Sequence, residues 1–235
     1  MTTAYKTELH CHCLPVSVCA HISPEEQAMA YIAAGYTTVV LTNHLSAATF
    51  HPFYYKGADD WQSKIDHYLS AYRRFCSAAG DRLHVLLGAE ICPDRYGATD
   101  FLVYGMTEEF LRSHPDLLAC NIEELSGWVR TAGMRIYQAH PFRDRMVITS
   151  PHHLDGIEVY NAQRRECSRN DMAELWAKRF HLPGIAGSDN HRDAADAVSG
   201  IETDEIIKNN DTLLKILASG QYRLIRGGEP MEDET

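Results

Sequence analysis

The chain has 235 residues, 45% hydrophobic and 23% charged, which fits a soluble globular protein long enough to bury its own core. Its formal net charge of −10 argues against a general nucleic-acid surface, because phosphate backbones are held by clustered Lys and Arg. The cysteines are irregularly spaced without a Cys-x-x-Cys pair, and there is neither a secretory leader nor the ~20-residue apolar run of a membrane span; the expectation is a cytoplasmic chain with reduced thiols and no membrane association.

In chain order, Tyr5 to His12 reads as a strand. Ser23-Pro24-Glu25-Glu26 opens a helix, with Ser23 as N-cap and Glu26 closing a capping box. This helix runs through Met29 and Ile32 and stops at Gly35. Thr37 to Thr42 is a β-branched buried strand. Leu45 to Asp60 reads as a long aromatic loop, and Trp61 to Ala79 as a helix ending at Gly80. Strands follow at Leu83–Leu87 and Phe101–Tyr104. A helix spans Glu123–Ala132, and further strands lie at Met134–Gln138 and Gly156–Tyr160. A helix covers Arg169–Phe180, a short strand Gly184–Ala186, a helix Thr212–Ala218 and a last strand Tyr222–Ile225. The tail from Gly227 to Thr235 is acidic and expected to fray. Alternating strands and helices predict one domain over 1–235 with a mainly parallel sheet, as a closed or distorted barrel. Functional residues of such barrels sit at the C-terminal ends of strands.

Those ends carry a consistent chemistry. The first finishes in His10-Cys11-His12, with two imidazoles on one side by strand alternation. The next ends are Thr42-Asn43-His44, Gly88-Ala89-Glu90, Gln138-Ala139-His140-Pro141 and Gly187-Ser188-Asp189-Asn190-His191. A single His at a strand end is commonly a solvated side chain. Five ends sharing one mouth are a different matter, and the chain has 13 His in all. Imidazole with carboxylate suits zinc, manganese or iron. The donors exceed what one tetrahedral ion takes, so two or three divalent ions are expected.

Glu8-Leu-His10-Cys-His12, Thr42-Asn-His44, Gly88-Ala-Glu90, Ala139-His140-Pro141 and Gly187-Ser-Asp189-Asn-His191 resemble, in order, the motifs of the PHP (polymerase and histidinol phosphatase) family. The resemblance runs from Glu8 to about Ile225. It implies a distorted (β/α)7 TIM-like barrel with a di- or trinuclear metal centre that hydrolyses phosphoesters. Carried over, His10, His12, Glu90 and Asp189 would hold one ion. His44 and His191 would hold a second, together with a loop histidine, identified as His21. Glu90 would bridge to a third ion on His140, with Asp100 as its further candidate ligand. The chain departs from the family pattern at Cys13, where Thr is common, and at Asn43, where Asp is common. It also has no His just after the Phe101–Tyr104 strand. His114 reads as structural, and Cys11, Cys13 and Cys19 read as packing residues rather than a zinc site.

Two ions about 3.5–4 Å apart generate hydroxide near neutral pH and clamp attacking and leaving oxygens, which suits phosphate esters. No Gly-x-Ser-x-Gly nucleophile motif occurs. The expected activity is hydrolysis of a small phosphomonoester by a metal-activated hydroxide, with His191 or His21 assisting proton transfer. Arg143, after His140-Pro-Phe, is the expected phosphate reader, ahead of Arg164, Arg165 and Arg192. The alternatives are a phosphodiesterase or 3′-exonuclease on short oligonucleotides and a non-catalytic metal-binding module.

Overall fold

The computed structural model describes residues 4–93 and 99–227; the acidic tail beyond 227 lies outside the described residues. The strands are β1 (Tyr5–Glu8), β2 (Tyr36–Leu41), β3 (His44–Leu45), β4 (His84–Leu87), β5 (Ala89–Ile91), β6 (Phe101–Tyr104), β7 (Arg135–Gln138), β8 (Gly156–Asn161), β9 (Gly184–Gly187), β10 (Ser199–Thr203) and β11 (Arg223–Arg226). The helices are α1 (Pro24–Ala33), α2 (Trp61–Ala79), α3 (Glu108–Ser113), α4 (Ile122–Thr131), α5 (Asn170–Phe180) and α6 (Asn210–Ser219). None is long and apolar enough to cross a membrane.

Local chemistry starts the helices where the sequence indicates. Ser23 and Glu26 form the expected capping box on α1. Asp60 caps α2 through the Ser63 N–H, and a second capping box, Asn121 with Glu124, opens α4.

The strands form two mixed sheets, in the orders β11-β10-β1-β2-β4 and β3-β5-β6-β7-β8-β9. The mainly parallel arrangement expected from the alternation is corrected here. β1–β2, β2–β4, β3–β5, β7–β8 and β8–β9 are parallel, whereas β1–β10, β10–β11, β5–β6 and β6–β7 are antiparallel. Residues 92–100 between β5 and β6 are too few for a helical crossover, so β6 reverses direction.

Most strands are buried on both faces, which erases the two-residue hydrophobic alternation from the sequence. Along β2, Val39 and Leu41 join the larger apolar cluster with Tyr31, Ile65, Leu69 and Phe75 from α1 and α2. Val40, pointing the other way, joins Leu102, Tyr104, Tyr137, Ile185 and Ile201, with Leu213, Ile216 and Leu217 of α6 packed on them.

The chain passes from the first sheet to the second at particular residues, and these set up the site. Beyond β1, regular pairing stops at Glu8 instead of running to His12. The next residues are held by the Cys11–Asn190 bridge and by His12 N–H donating to the Asn190 carbonyl (2.9 Å). β2 gives way to β3 across Thr42-Asn43, and β4 to β5 across Gly88. Gly88 N–H donates to the Leu41 carbonyl at 3.0 Å, and a Cβ there would stand 2.8 Å from Val40 Cγ1. Close approach of these strands therefore needs glycine.

β10 escapes a sequence reading because Ser199-Gly-Ile-Glu-Thr203 has little strand propensity; pairing with β1 and β11 imposes the conformation. Gly200 sits there at φ 132°, and an added Cβ would lie 2.1 Å from the Thr7 carbonyl oxygen. Gly200→Ala is expected to destabilise the fold by about 1–3 kcal/mol or more, since strain and a backbone clash combine. Urea denaturation checks this; an unchanged midpoint would contradict it.

Candidate metal centre

The strand transitions bring seven side chains together: His10, His12, His44, Glu90, His140, Asp189 and His191. Glu90 and Asp189 are fully buried or nearly so. Glu90 Oε1 lies 3.2 Å from His10 Nε2 and 3.0 Å from His140 Nε2, while Oε2 lies 3.4 Å from His12 Nε2 and 2.7 Å from His44 Nδ1. Asp189 Oδ1 lies 3.5 Å from His10 Nε2, 3.3 Å from His12 Nε2 and 3.3 Å from His191 Nδ1. Three groups result in which the donor atoms lie within 4.8 Å of one another: His12–His44–His191, His10–His12–Asp189 and His10–Glu90–His140.

Several of these atoms are near one another without bonding. His10 Nε2, His12 Nε2, Glu90 Oε2, His140 Nδ1 and Asp189 Oδ1 are buried and lack a hydrogen-bond partner. Unsatisfied buried polar atoms are costly, and four of these, His10 Nε2, His12 Nε2, Glu90 Oε2 and Asp189 Oδ1, lie in the centre and fit cations as the missing partners. The donor set of nitrogen and carboxylate oxygen suits zinc, manganese or iron.

The rings are oriented from behind. Cys13 N–H donates to Asn43 Oδ1 (2.8 Å), which fixes the direction of that amide. Ser17 donates its one hydroxyl proton to the same oxygen (2.9 Å). It therefore accepts from His12 Nδ1 (3.1 Å) and from the His44 N–H (3.0 Å). His12 Nε2 is left as a lone pair facing the centre. Asn43 thus serves where an aspartate is common in the family, as an acceptor. His10 Nδ1 meets Glu158 Oε1 at 2.9 Å, and His191 Nδ1 donates to the Asp189 carbonyl at 2.8 Å. Such outer partners set tautomer and ring angle for metal binding.

Glu158 is a residue that sequence reasoning missed. It is buried in β8, and its Oε2 accepts from the His140 N–H and the Asn161 side chain, each at 2.9 Å. The signal was present: a lone carboxylate inside the apolar strand Gly156-Ile-Glu158-Val-Tyr160. Glu8 is similar. It accepts from the Leu9, His10 and Ser188 N–H groups at 2.9–3.0 Å and from Tyr31 Oη at 3.0 Å, tying β1 to the Asp189 turn. Burial pushes its carboxyl up to about 7, against those hydrogen bonds.

His140 and Asp189 occupy left-handed backbone conformations, φ 25° and 50°. For a non-glycine residue this is strained by about 1–3 kcal/mol and is typically sustained at functional sites. Asp189 is held there by its N–H to the His10 carbonyl (2.7 Å) and by Gln163 donating to its own carbonyl (2.9 Å).

The electrostatics are those of two anions among imidazoles. Burial would raise Glu90, yet His10 and His44 hold it well below the usual carboxylate range; burial would raise Asp189, yet His10 and Arg143 hold it low. Burial would lower His10, but Glu158, Asp189 and Glu90 bring it well above the ordinary imidazole range. His44 is raised against burial by Glu90 and Cys19, and His191 by Cys19 and Asp189. His12 is lowered by burial and by His191 and His44.

Other expected residues stand elsewhere. His21 is exposed on the turn before α1 and joins none of the three groups; its backbone N–H, rather than its ring, reaches in to the His191 carbonyl (2.7 Å). Cys19, read from sequence as a packing residue, is exposed and lines the mouth together with His44 and His191, but it too joins none of the three groups. Burial alone would raise its thiol, but the neighbouring His191 and His44 imidazoles bring it down to about 6. Asp100 joins no ligand group but lines the mouth, because the reversal of β6 puts the start of that strand there. Burial, then repulsion by Glu90, pushes its carboxyl up to about 6. His114 stacks on Phe110 (ring centroids 4.1 Å apart), a packing role.

Arg143 is committed to the centre. Its Nη2 donates to Asp189 Oδ2 (2.8 Å), Asn161 Oδ1 (3.0 Å) and Ser168 Oγ (3.1 Å), with 11% of the side chain exposed. A cavity of about 370 Å³ opens beside it, lined also by Cys19, His44, Arg145, Arg165 and Arg192. Arg164 instead pairs with Asp196 (3.6 Å).

The profile of a PHP-associated family matches residues 168–222, a stretch that contains Asp189 and His191. The fold resembles a two-domain protein from Bacteroides vulgatus containing a predicted PHP-like metal-dependent phosphoesterase, with TM-score 0.65 and 15% identity over 94% of this chain and 64% of that one. It also resembles the lesion-specific endonuclease PfuEndoQ from Pyrococcus furiosus, with TM-score 0.60 and 13% identity over 94% and 58% of the two chains. An amidohydrolase from Chromobacterium violaceum with bound sulfate has TM-score 0.55 and 16% identity over 93% and 98%. The chain thus spans less than two thirds of the first two proteins. No curated protein matches it. The PHP resemblance read from the motifs is borne out by the profile and the fold.

Glu158→Gln should lower metal affinity about 10–100-fold while leaving the fold intact, because the carboxylate that orients His10 becomes an amide. A competitive chelator titration alongside circular dichroism reads both; unaltered affinity would remove Glu158 from the site. Metal loading should also weaken as pH falls. The raised pKa of His10, His44 and His191 means that protons compete with the cation more strongly on the acid side. Apparent affinity measured across a pH series tests the sign.

Proposed function

We propose that the chain is a metal-dependent phosphoesterase acting on small phosphomonoesters, and that its two sheets are the halves of a distorted (β/α)7 barrel in a single domain. The observation that carries this reading is the convergence of five imidazoles and two buried carboxylates, with four orphaned atoms among them, on a mouth lined by arginines. His10, His12, Asp189 and Glu90 are assigned as ligands around one position, His44 and His191 around a second, and His140 with Glu90 around a third. Two or three divalent ions (zinc, manganese or iron) bound there would act as Lewis acids and lower the pKa of water.

The chain's own residues do the rest. Arg145, Arg165 and Arg192 at the mouth bind the anionic substrate. Arg143 acts on Asp189, holding its carboxylate at 2.8 Å, so its role is to position a ligand more than to read phosphate. His191 spends Nδ1 on a backbone carbonyl and presents Nε2 to the cluster, which makes it a poor proton carrier. Asp100 is better placed, with its carboxyl held near 6 beside the cluster; it would exchange a proton with the leaving oxygen.

Small esters are favoured by the cavity of about 370 Å³ and by the net charge of −10. Chelation, or replacing His10 and His12 by Ala, should reduce phosphomonoester hydrolysis to background. Turnover that survives exhaustive chelation would sink the reading. A panel pairing phosphomonoesters with short oligonucleotides separates it from the nuclease alternative, which predicts release of 3′-terminal nucleotides.

A further inference from the structure

Glu158 and Asn161 stand three residues apart on β8, and residues so spaced on a regular strand face opposite sides. Pairing with β9 slips between Glu158 and Tyr160, and that irregularity turns both side chains to the metal centre: Asn161 Nδ2 donates to Glu158 Oε2 at 2.9 Å. Asn161 is fully buried. Its backbone is fixed by Asn170 at the start of α5, which accepts from the Asn161 N–H (2.9 Å) and donates to the Asn161 carbonyl (3.1 Å). The direction of its amide is settled by its neighbours. Arg143 Nη2 and the Gln163 N–H, each at 3.0 Å, are donors only, so the atom facing them is Oδ1. Nδ2 is thereby aimed at two carboxylate oxygens, Glu158 Oε2 and, at 3.3 Å, Asp189 Oδ2. Arg143 Nη2 holds the same Asp189 oxygen at 2.8 Å. The other oxygen of Asp189, Oδ1, is buried without a hydrogen-bond partner, 3.5 Å from His10 Nε2 and 3.3 Å from His12 Nε2.

We propose that Asn161 is a positioning residue that makes Asp189 a ligand through Oδ1 alone and ties it to the carboxylate that orients His10. This rests on the reading of the centre as a metal site. A carboxylate left to itself can offer a cation both oxygens; Asn161 and Arg143 together engage Oδ2 and withhold it. A donor withheld leaves a coordination position for water or substrate, which is what separates a catalytic metal site from a closed structural one. Glu158 joins the same amide and meets His10 Nδ1 at 2.9 Å. His10 and Asp189 come from segments far apart in the chain, and one side chain thus sets the ring angle of the first, through Glu158, and the rotation of the second. Arg143 shares the Asp189 contact, and Asn161 Oδ1 is one of the acceptors that hold Arg143 itself.

The test is metal binding and spectroscopy on the full chain carrying Asn161→Asp or Asn161→Ala. Asn161→Asp keeps an acceptor for Arg143 and Gln163, loses the donor and sets a carboxylate oxygen against Glu158 and Asp189. Asn161→Ala removes the amide without adding charge. Each variant should bind zinc about 10–100-fold more weakly in a chelator competition, the loss that removing an outer partner brings. Cobalt-loaded protein should change its visible absorption in both, because freeing Asp189 Oδ2 alters the donors around the ion. A side chain that merely packs β8 would lower the melting temperature and leave that spectrum alone. Asn161→Ala combined with Glu158→Gln should lose less affinity than the product of the two single losses, since both act through one hydrogen-bonded unit. Circular dichroism establishes that the variants fold; if Asn161→Asp does not, Asn161→Ala decides the outcome. A cobalt spectrum unchanged in a folded variant overturns the positioning role and leaves the metal reading standing, and single losses that multiply overturn the coupling through Glu158. If the unaltered chain binds neither zinc nor cobalt, both readings fall.

Discussion

Two carboxylates, Glu90 and Asp189, are buried together at the point where the two sheets meet, and the surrounding arrangement follows from keeping both ionised. Isolated buried anions are expensive. Here each is ringed by imidazole nitrogens at 2.7–3.5 Å, and Asp189 has the Arg143 guanidinium as well. The imidazoles are placed by the carbonyls, hydroxyls and carboxylates behind them, and those are placed by the strand transitions at residues 9–12, 42–43 and 88. The backbone ladder is interrupted where the ligands are needed, which frees main-chain groups to hold side chains. Glu8 is a clear case, since one carboxylate satisfies three N–H groups of two segments 180 residues apart.

The sequence made the donor residues legible because His, Glu and Asp at the ends of apolar runs are conspicuous. All seven strand-end residues converge. What stayed hidden was whatever depends on chain direction. His21 was read as the loop ligand, and only the orientation of its turn, which leaves the ring exposed and outside the three donor groups, removes it. Asp100 stands at the start of its strand, and its presence at the mouth follows from the reversal of β6. Glu158 lay inside an apolar strand and was passed over as part of it, although a buried carboxylate in such a run always needs partners.

The fold shows the same division. Capped helices such as α1 and α2 were readable to within a residue or two, because caps are local chemistry. Sheet order was not, because strands buried on both faces carry no alternation to show which side faces which layer. β10 had no local signal; its conformation comes from β1 and β11. The expected alternation of parallel strands was therefore right for β1, β2 and β4 and for β7, β8 and β9, and wrong where short connections or hairpins turn the chain back.

The outer nitrogens of His10, His12 and His191 are already engaged with Glu158, Ser17 and the Asp189 carbonyl. The inward lone pairs of these rings are thus chosen by the polypeptide, whatever cation arrives. Such a scaffold is a fixed mould: cations bound as proposed would come and go without the rings having to turn. Which cation resides there would then depend on the hardness of the donors and on what the surrounding medium offers, with little contribution from rearrangement of the chain.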